Sequence, residues 1–198
     1  MKTENSVLMK NAWESLRGKW ATVIPATLIY SLVLVVQKIP KAGVILGLVV
    51  AGPMTLGFSM FILRLSRAQD IRLENIFDGF KNLGNAIGAG ILKWVFVFLW
   101  SLLLIIPGIV ALYSYSMTFY IMADDPTIGP LDAIRKSKSM MMGNKWKIFF
   151  LALRFLGWTL LSILTLGIGF LWLFPYATMA NAKFYDDIKN SVEPVVVA

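Results

Sequence analysis

Apolar residues gather into three long blocks, residues 20–63, 86–123 and 146–182, with polar stretches before, between and after them. An α-helix rises ~1.5 Å per residue and the hydrocarbon core of a bilayer is ~30 Å thick, so each block is about twice the length of one crossing. Each therefore reads as two helices folded back on each other. The pattern predicts helices over 21–37 and 44–63, 87–106 and 109–123, and 147–165 and 170–182. Their turns are expected at Pro40 and Gly43, at Pro107-Gly108 and at Leu166-Gly167-Ile168-Gly169, because proline and glycine interrupt helices. The sixth helix is short, and a shallow re-entrant pair is the alternative for the third block.

The expected fold is all-α, a polytopic membrane bundle of six transmembrane helices in three hairpins with short interfacial amphipathic helices. It forms one integral membrane domain over 1–198: an arm (1–20), hairpin one (21–63), a loop (64–85), hairpin two (86–123), a loop (124–145), hairpin three (146–182) and a tail (183–198). Within the polar stretches, Met9, Trp13, Leu16 and Trp20 recur at three and four residues, opposite Lys10, Glu14 and Arg17. Leu73, Ile76, Phe77, Phe80 and Leu83 do the same opposite Arg72, Asp78 and Lys81. A third stripe starts at Pro130 and runs through Leu131, Ile134, Lys138 and Met141 to Gly143. Such stripes either lie on lipid or cover the cytoplasmic ends of the bundle.

Charge orients this plan. Lys2, Lys10, Arg17 and Lys19 precede the first helix, Arg64, Arg67, Arg72 and Lys81 the third, and Arg135, Lys136, Lys138 and Lys145 the fifth. Lys183 and Lys189 follow the sixth, whereas the opposite side carries only Lys38 and Lys41. The positive-inside rule then puts both termini and both long loops in the cytoplasm. Composition agrees with a membrane solvent: of 198 residues 58% are hydrophobic and 15% charged, and the mean hydropathy is +0.70. The net charge of +8 is spread between the apolar blocks, which argues for membrane orientation rather than nucleic-acid binding. With no cysteine and no histidine, disulfides, thiol nucleophiles, Ser/His/Asp triads and the usual zinc sites are excluded. The first apolar run follows a polar stretch and lacks a small-x-small cleavage site, so it is expected to stay as an anchor.

Weak internal similarity suggests a threefold plan. A basic helix, a glycine and a tryptophan precede a crossing twice, at Gly18-Lys19-Trp20 and at Gly143-Asn144-Lys145-Trp146, and Pro53, Pro107 and Pro175 sit in or before the returning helices. The stretch from Ala133 to Lys147, followed by Phe155-Leu156-Gly157-Trp158, Leu164 to Gly169, Trp172, Pro175-Tyr176 and Phe184-Tyr185, resembles the bacterial integral membrane family called domain of unknown function 975. The resemblance implies a polytopic helical protein of bacterial origin whose activity is not established. It also implies a distant similarity to the membrane part of glycerophosphodiester phosphodiesterases. It brings no catalytic residues, and the soluble hydrolase domain of those enzymes has no counterpart here.

Few residues carry candidate chemistry. Lys93 lies about two turns into the third helix, where its stem can snorkel to the headgroups. Arg154 lies seven positions beyond Lys147, ~10 Å deeper along a helix. It shares a face with Lys147, Trp158, Ser162 and Thr165, which reads as a polar crevice or as hydroxyl-mediated helix packing. Asp124 and Asp125 are its nearest carboxylates if the fourth and fifth helices are neighbours, and otherwise end a helix before Pro126, as Asp186-Asp187 also do. No catalytic, metal or cofactor-binding constellation is expected. The sequence thus describes a multi-pass protein of the bacterial inner membrane, non-enzymatic, that binds lipids or other membrane proteins with its basic face on anionic headgroups. The alternative is a small transporter or lipid-handling protein built around Arg154.

Overall fold

The computed structural model describes residues 3–36 and 43–192; the turn expected at Pro40 lies outside them. Helices α1 (Asn5–Leu16), α2 (Trp20–Val36) and α3 (Gly43–Ser66) lead into a 3-10 helix (Leu73–Asn82) continuous with α4 (Leu83–Leu103). Then come α5 (Ile105–Ser114), α6 (Thr118–Asp124), α7 (Pro130–Met140), α8 (Lys145–Leu164) and α9 (Phe170–Val192). Among the described residues there is no strand. Four stretches are long and apolar enough to cross a membrane: Val49–Ser66, Leu73–Leu103, Ile105–Asp124 and Lys145–Leu164. Helix α2 adds a shorter apolar stretch, Trp20–Val33.

Consecutive long helices pack on each other, α2 on α3, α4 on α5 and α8 on α9, and each pair is preceded by an amphipathic helix. The contacts between these three units repeat cyclically. The amphipathic helix of each unit lies on the returning helix of the unit before it: the 3-10 helix on α3, α7 on α6, and α1 on α9. The outgoing helices follow the same rule, with α4 on α3, α8 on α5 and α2 on α9. The returning helices α3, α6 and α9 meet at the centre, where Tyr120 of α6 stacks on Tyr185 of α9 at 5.9 Å. The outgoing α4 and α8 carry much of the exposed apolar surface, including Trp94, Phe98, Leu102, Leu160 and Leu164.

The threefold resemblance extends to backbone detail. Gly18 and Gly143, each between an amphipathic helix and the following long helix, have φ of +77° and +74°, a left-handed conformation that glycine adopts without the Cβ penalty. Counting back from them, Leu8, Ala12 and Leu16 correspond to Ala133, Ser137 and Met141, and all six are buried. The buried residues overlap the apolar stripes only in part. In α1 the face toward α9 is Leu8, Ala12 and Leu16, and Trp13 is half exposed. In α7 it is Ala133, Ile134, Ser137 and Met140, with Leu131 and Lys138 outside. In the 3-10 helix only Ile76 and Gly79 are buried, because Gly79 and Gly57 bring that helix and α3 into backbone contact.

Three further expectations are corrected. The second pair reverses at Leu104, in extended conformation, and not at Pro107-Gly108. Pro107 falls in the first turn of α5, where its missing N–H has no helical partner to lose, and Gly108 packs against Ser101 across the turn. The helix expected over 109–123 is broken between Ser114 and Thr118. Ser137 of α7 spans that break: its hydroxyl donates to the Ser114 carbonyl at 2.8 Å and accepts from the Met117 N–H at 3.2 Å. Finally, α9 does not stop at Ala182 but runs on to Val192, and what was expected as a tail packs as a helix with Phe184, Tyr185 and Ile188 buried.

Candidate functional site

Where the ends of the returning helices converge, acidic and basic side chains form one connected layer. Asp124, the last residue of α6, accepts from Arg67 at 2.5 Å, from Lys189 of α9 at 2.5 Å and from the Tyr185 hydroxyl at 3.0 Å. Arg67 reaches across to Asp186 as well, at 2.8 Å and 3.2 Å, and the Ser66 hydroxyl donates to the same carboxylate at 3.0 Å. The Lys183 ammonium donates to the Ser66 carbonyl. Next to this set, Lys147 at the start of α8 donates to Asp187 at 2.6 Å, and the Thr3 N–H donates to Asp187 at 3.1 Å. The Asn5 amide donates to the Lys147 carbonyl, which fixes α1 to α8. A third cluster joins Arg64 and Lys81 to Asp78 at 2.8 Å and 2.7 Å and ties α3 to the 3-10 helix.

The electrostatics follow from these contacts. Burial works against the Arg67 charge, but hydrogen bonds and attraction from Asp124 and Asp186 outweigh it and raise its pKa above the ordinary arginine value. Burial also pushes Asp187 upward, yet the Lys147 and Thr3 hydrogen bonds prevail and hold its carboxyl below the usual range. Tyr185 is pushed up by burial and by the adjacent Asp124 charge. The layer thus consists of shared charges in which each carboxylate meets at least one cation, an arrangement that suits structural cohesion more than proton exchange.

The expected candidates separate. Asp124 sits in this layer, whereas its neighbour Asp125 closes the turn after α6, accepting from the Thr127 hydroxyl at 2.6 Å and the Thr127 N–H at 3.0 Å, which lowers its pKa. Asp186 and Asp187 lie inside α9 as ion-pair partners rather than ending a helix. Lys93 of α4 does not extend into solvent but is half buried, its ammonium 5.5 Å from the centroid of the Phe119 ring, a cation–π contact. Arg154 is exposed and, among the described residues, has no hydrogen-bond or ion-pair partner; Asp124 is committed to Arg67 and Lys189. Arg67, Lys189 and Tyr185 were not legible as partners, since 57 to 65 residues of chain separate the first two and Tyr185 from Asp124.

The face of α8 beyond Arg154 lines a groove. Trp158, Leu161, Ser162 and Thr165 form one wall, Gly169, Trp172, Leu173 and Tyr176 a second, and Met9 and Trp13 of α1 a third, around a cavity of about 630 Å³. Its character is mainly apolar, and the Ser162 and Thr165 hydroxyls are used locally: Ser162 donates to the Trp158 carbonyl at 2.8 Å and Thr165 to the Ser162 carbonyl at 2.9 Å. Trp13 meets Tyr176 edge-on at 5.6 Å and Tyr176 meets Phe155 at 5.1 Å. Three of the five residues grouped on the Arg154 face therefore line the groove, while Lys147 belongs to the ion-pair layer. Among the described residues no acidic group of three could hold a metal ion.

Neither a curated protein nor a solved structure matches the chain, so no comparison links it to the glycerophosphodiester phosphodiesterases. Residues 102–192, which run from the end of α4 through α9 and hold Asp124, Asp186 and Lys189 of the layer and two walls of the groove, match the model of the family described as protein of unknown function (DUF975).

Proposed function

We propose that this is a bacterial inner-membrane protein that crosses the bilayer six times in three hairpins, keeps both termini in the cytoplasm, and acts without catalysis by binding lipids or other membrane proteins. One observation carries the reading. Asp78, Asp124, Asp186 and Asp187 are drawn into internal ion pairs, while Arg17, Arg72 and Lys138 are exposed with no acidic partner among the described residues. The face on which the three units converge is left with an outward excess of positive charge, suited to anionic headgroups. The exposed apolar surfaces of α4 and α8 supply the lipid-facing wall.

Copurification in native lipid nanodiscs, with mass spectrometry of the retained lipids and proteins, tests the reading. Enrichment of anionic lipid or of a stoichiometric membrane partner supports it; a soluble metabolite retained instead would favour the transport alternative. The orientation is tested apart from this by a reporter inserted at the Leu104 turn, which must emerge on the far side of the membrane. A cytoplasmic reporter there refutes it.

A further inference from the structure

We propose that the groove between α1, α8 and α9 is a binding site for one anionic phospholipid, with an acyl chain among Trp13, Trp158 and Trp172 and the headgroup phosphate on Arg154. The proposal specifies the ligand of the lipid-binding role above and rests on it. Residues 154, 158, 162 and 165 succeed one another at four, four and three positions along α8, so they share one line on the helix surface. The last three of them line the groove, which places Arg154 one turn outside it, at its end nearer the start of α8. Side chains on a helix lean toward its N-terminus, so the guanidinium extends away from the groove and toward the end of the bundle that holds the Lys147–Asp187 pair.

Two unmet demands define the occupant. The groove is walled by indole, phenol and aliphatic groups, and its Ser162 and Thr165 hydroxyls are bonded to their own helix, so it offers a chain-like apolar molecule far more contact than a polar one. Its volume of about 630 Å³ lies within the ~300–1,000 Å³ of small-molecule sites. At its mouth stands a cation with no acid among the described residues, whose planar fork matches a phosphate. A phospholipid meets both demands in one molecule. The surrounding bilayer supplies it, since Trp158, Leu161 and Trp172 are exposed to that bilayer.

The full chain, reconstituted with equal phosphatidylglycerol and phosphatidylcholine and then stripped in detergent, is examined by native mass spectrometry. Wild type is expected to retain phosphatidylglycerol about fivefold over phosphatidylcholine, the effect of about 1 kcal/mol per cation near anionic lipid. Arg154→Gln should keep a lipid but lose the preference, and Leu161→Trp, which fills the groove, should lose lipids of both kinds. Leu102→Trp, on the exposed edge of α4, controls for an added indole and should behave as wild type. If wild type prefers phosphatidylglycerol and both groove variants still do, the site is refuted while the lipid-binding role stands. If wild type shows no preference, both fall. A protein partner crosslinked at position 158 in place of lipid also overturns the site.

Discussion

Replacing Asp124 by asparagine removes one charge and little volume from the point where α3, α6 and α9 meet. The aspartate side chain is 12% exposed, against 32% for Arg67 and 31% for Lys189. Breaking a buried pair from one side costs about 3–5 kcal/mol, and an exposed pair about 0–1 kcal/mol. Arg67 keeps Asp186, and both cations retain partial access to water, so Asp124→Asn should fall between these limits at about 2 kcal/mol. For a chain of this size that corresponds to a lowering of the unfolding midpoint by about 4–8 °C, read by tryptophan fluorescence in detergent. Adding Lys189→Met relieves the uncompensated ammonium, so the double variant should recover part of the loss. A midpoint for Asp124→Asn within experimental error of wild type would show that the layer contributes nothing, and the argument for a central ion-pair lock would fail.

Ser137→Ala should cost about 1–3 kcal/mol by leaving the Ser114 carbonyl and the Met117 N–H without a partner in a buried break, and hydrogen exchange at Met117 should accelerate. An alanine at Gly57 would overlap the Ile76 carbonyl of the 3-10 helix, so Gly57→Ala should destabilise by about 3 kcal/mol. Gly143 has open space around it, and Gly143→Ala should cost only the left-handed backbone, about 1–2 kcal/mol; equal effects of the two on the unfolding midpoint would contradict this. The Asp187 carboxyl has its pKa lowered in the folded state. Its stabilisation is therefore present above the ordinary aspartate value of about 3.9 and is lost as pH falls through the folded value. Protease cleavage of α1 should rise across that acid window, and Asp187→Asn should abolish the rise.

The helices were legible because their apolar residues come in long runs, four of them long enough to cross a membrane, whatever their partners. Leu166 and Gly167, at φ of +53° and +87°, make the third turn where the glycine-rich stretch predicts one. Pro107 misled because a proline stops a helix and starts one with equal ease, and only the packing of Gly108 on Ser101 decides for the second. Trp13 shows a different limit: the apolar stripe left lipid and the bundle end open as its surroundings, and in α1 it is Ala12 that is fully buried while Trp13 turns to the groove. The break after Ser114 and the partners of Asp124 depend on residues 20 to 65 positions away, which no local period reports. The same distance explains Arg154, whose expected acid was taken by cations nearer in space.

The cyclic packing has a consequence for how the chain is made. Two of its three latches close in order, as the 3-10 helix finds α3 and α7 finds α6, both already synthesised. The remaining one joins α1 to α9 and must wait while residues 17–192 leave the ribosome, roughly 9–35 s at ~5–20 residues per second. During that interval α1, with its buried Leu8, Ala12 and Leu16, lacks its main partner and has only lesser contacts with α3 and later α8. In a chain stalled before α9 the arm is therefore the part of the fold left without its principal partner, and the ring of contacts closes only when the final helix arrives.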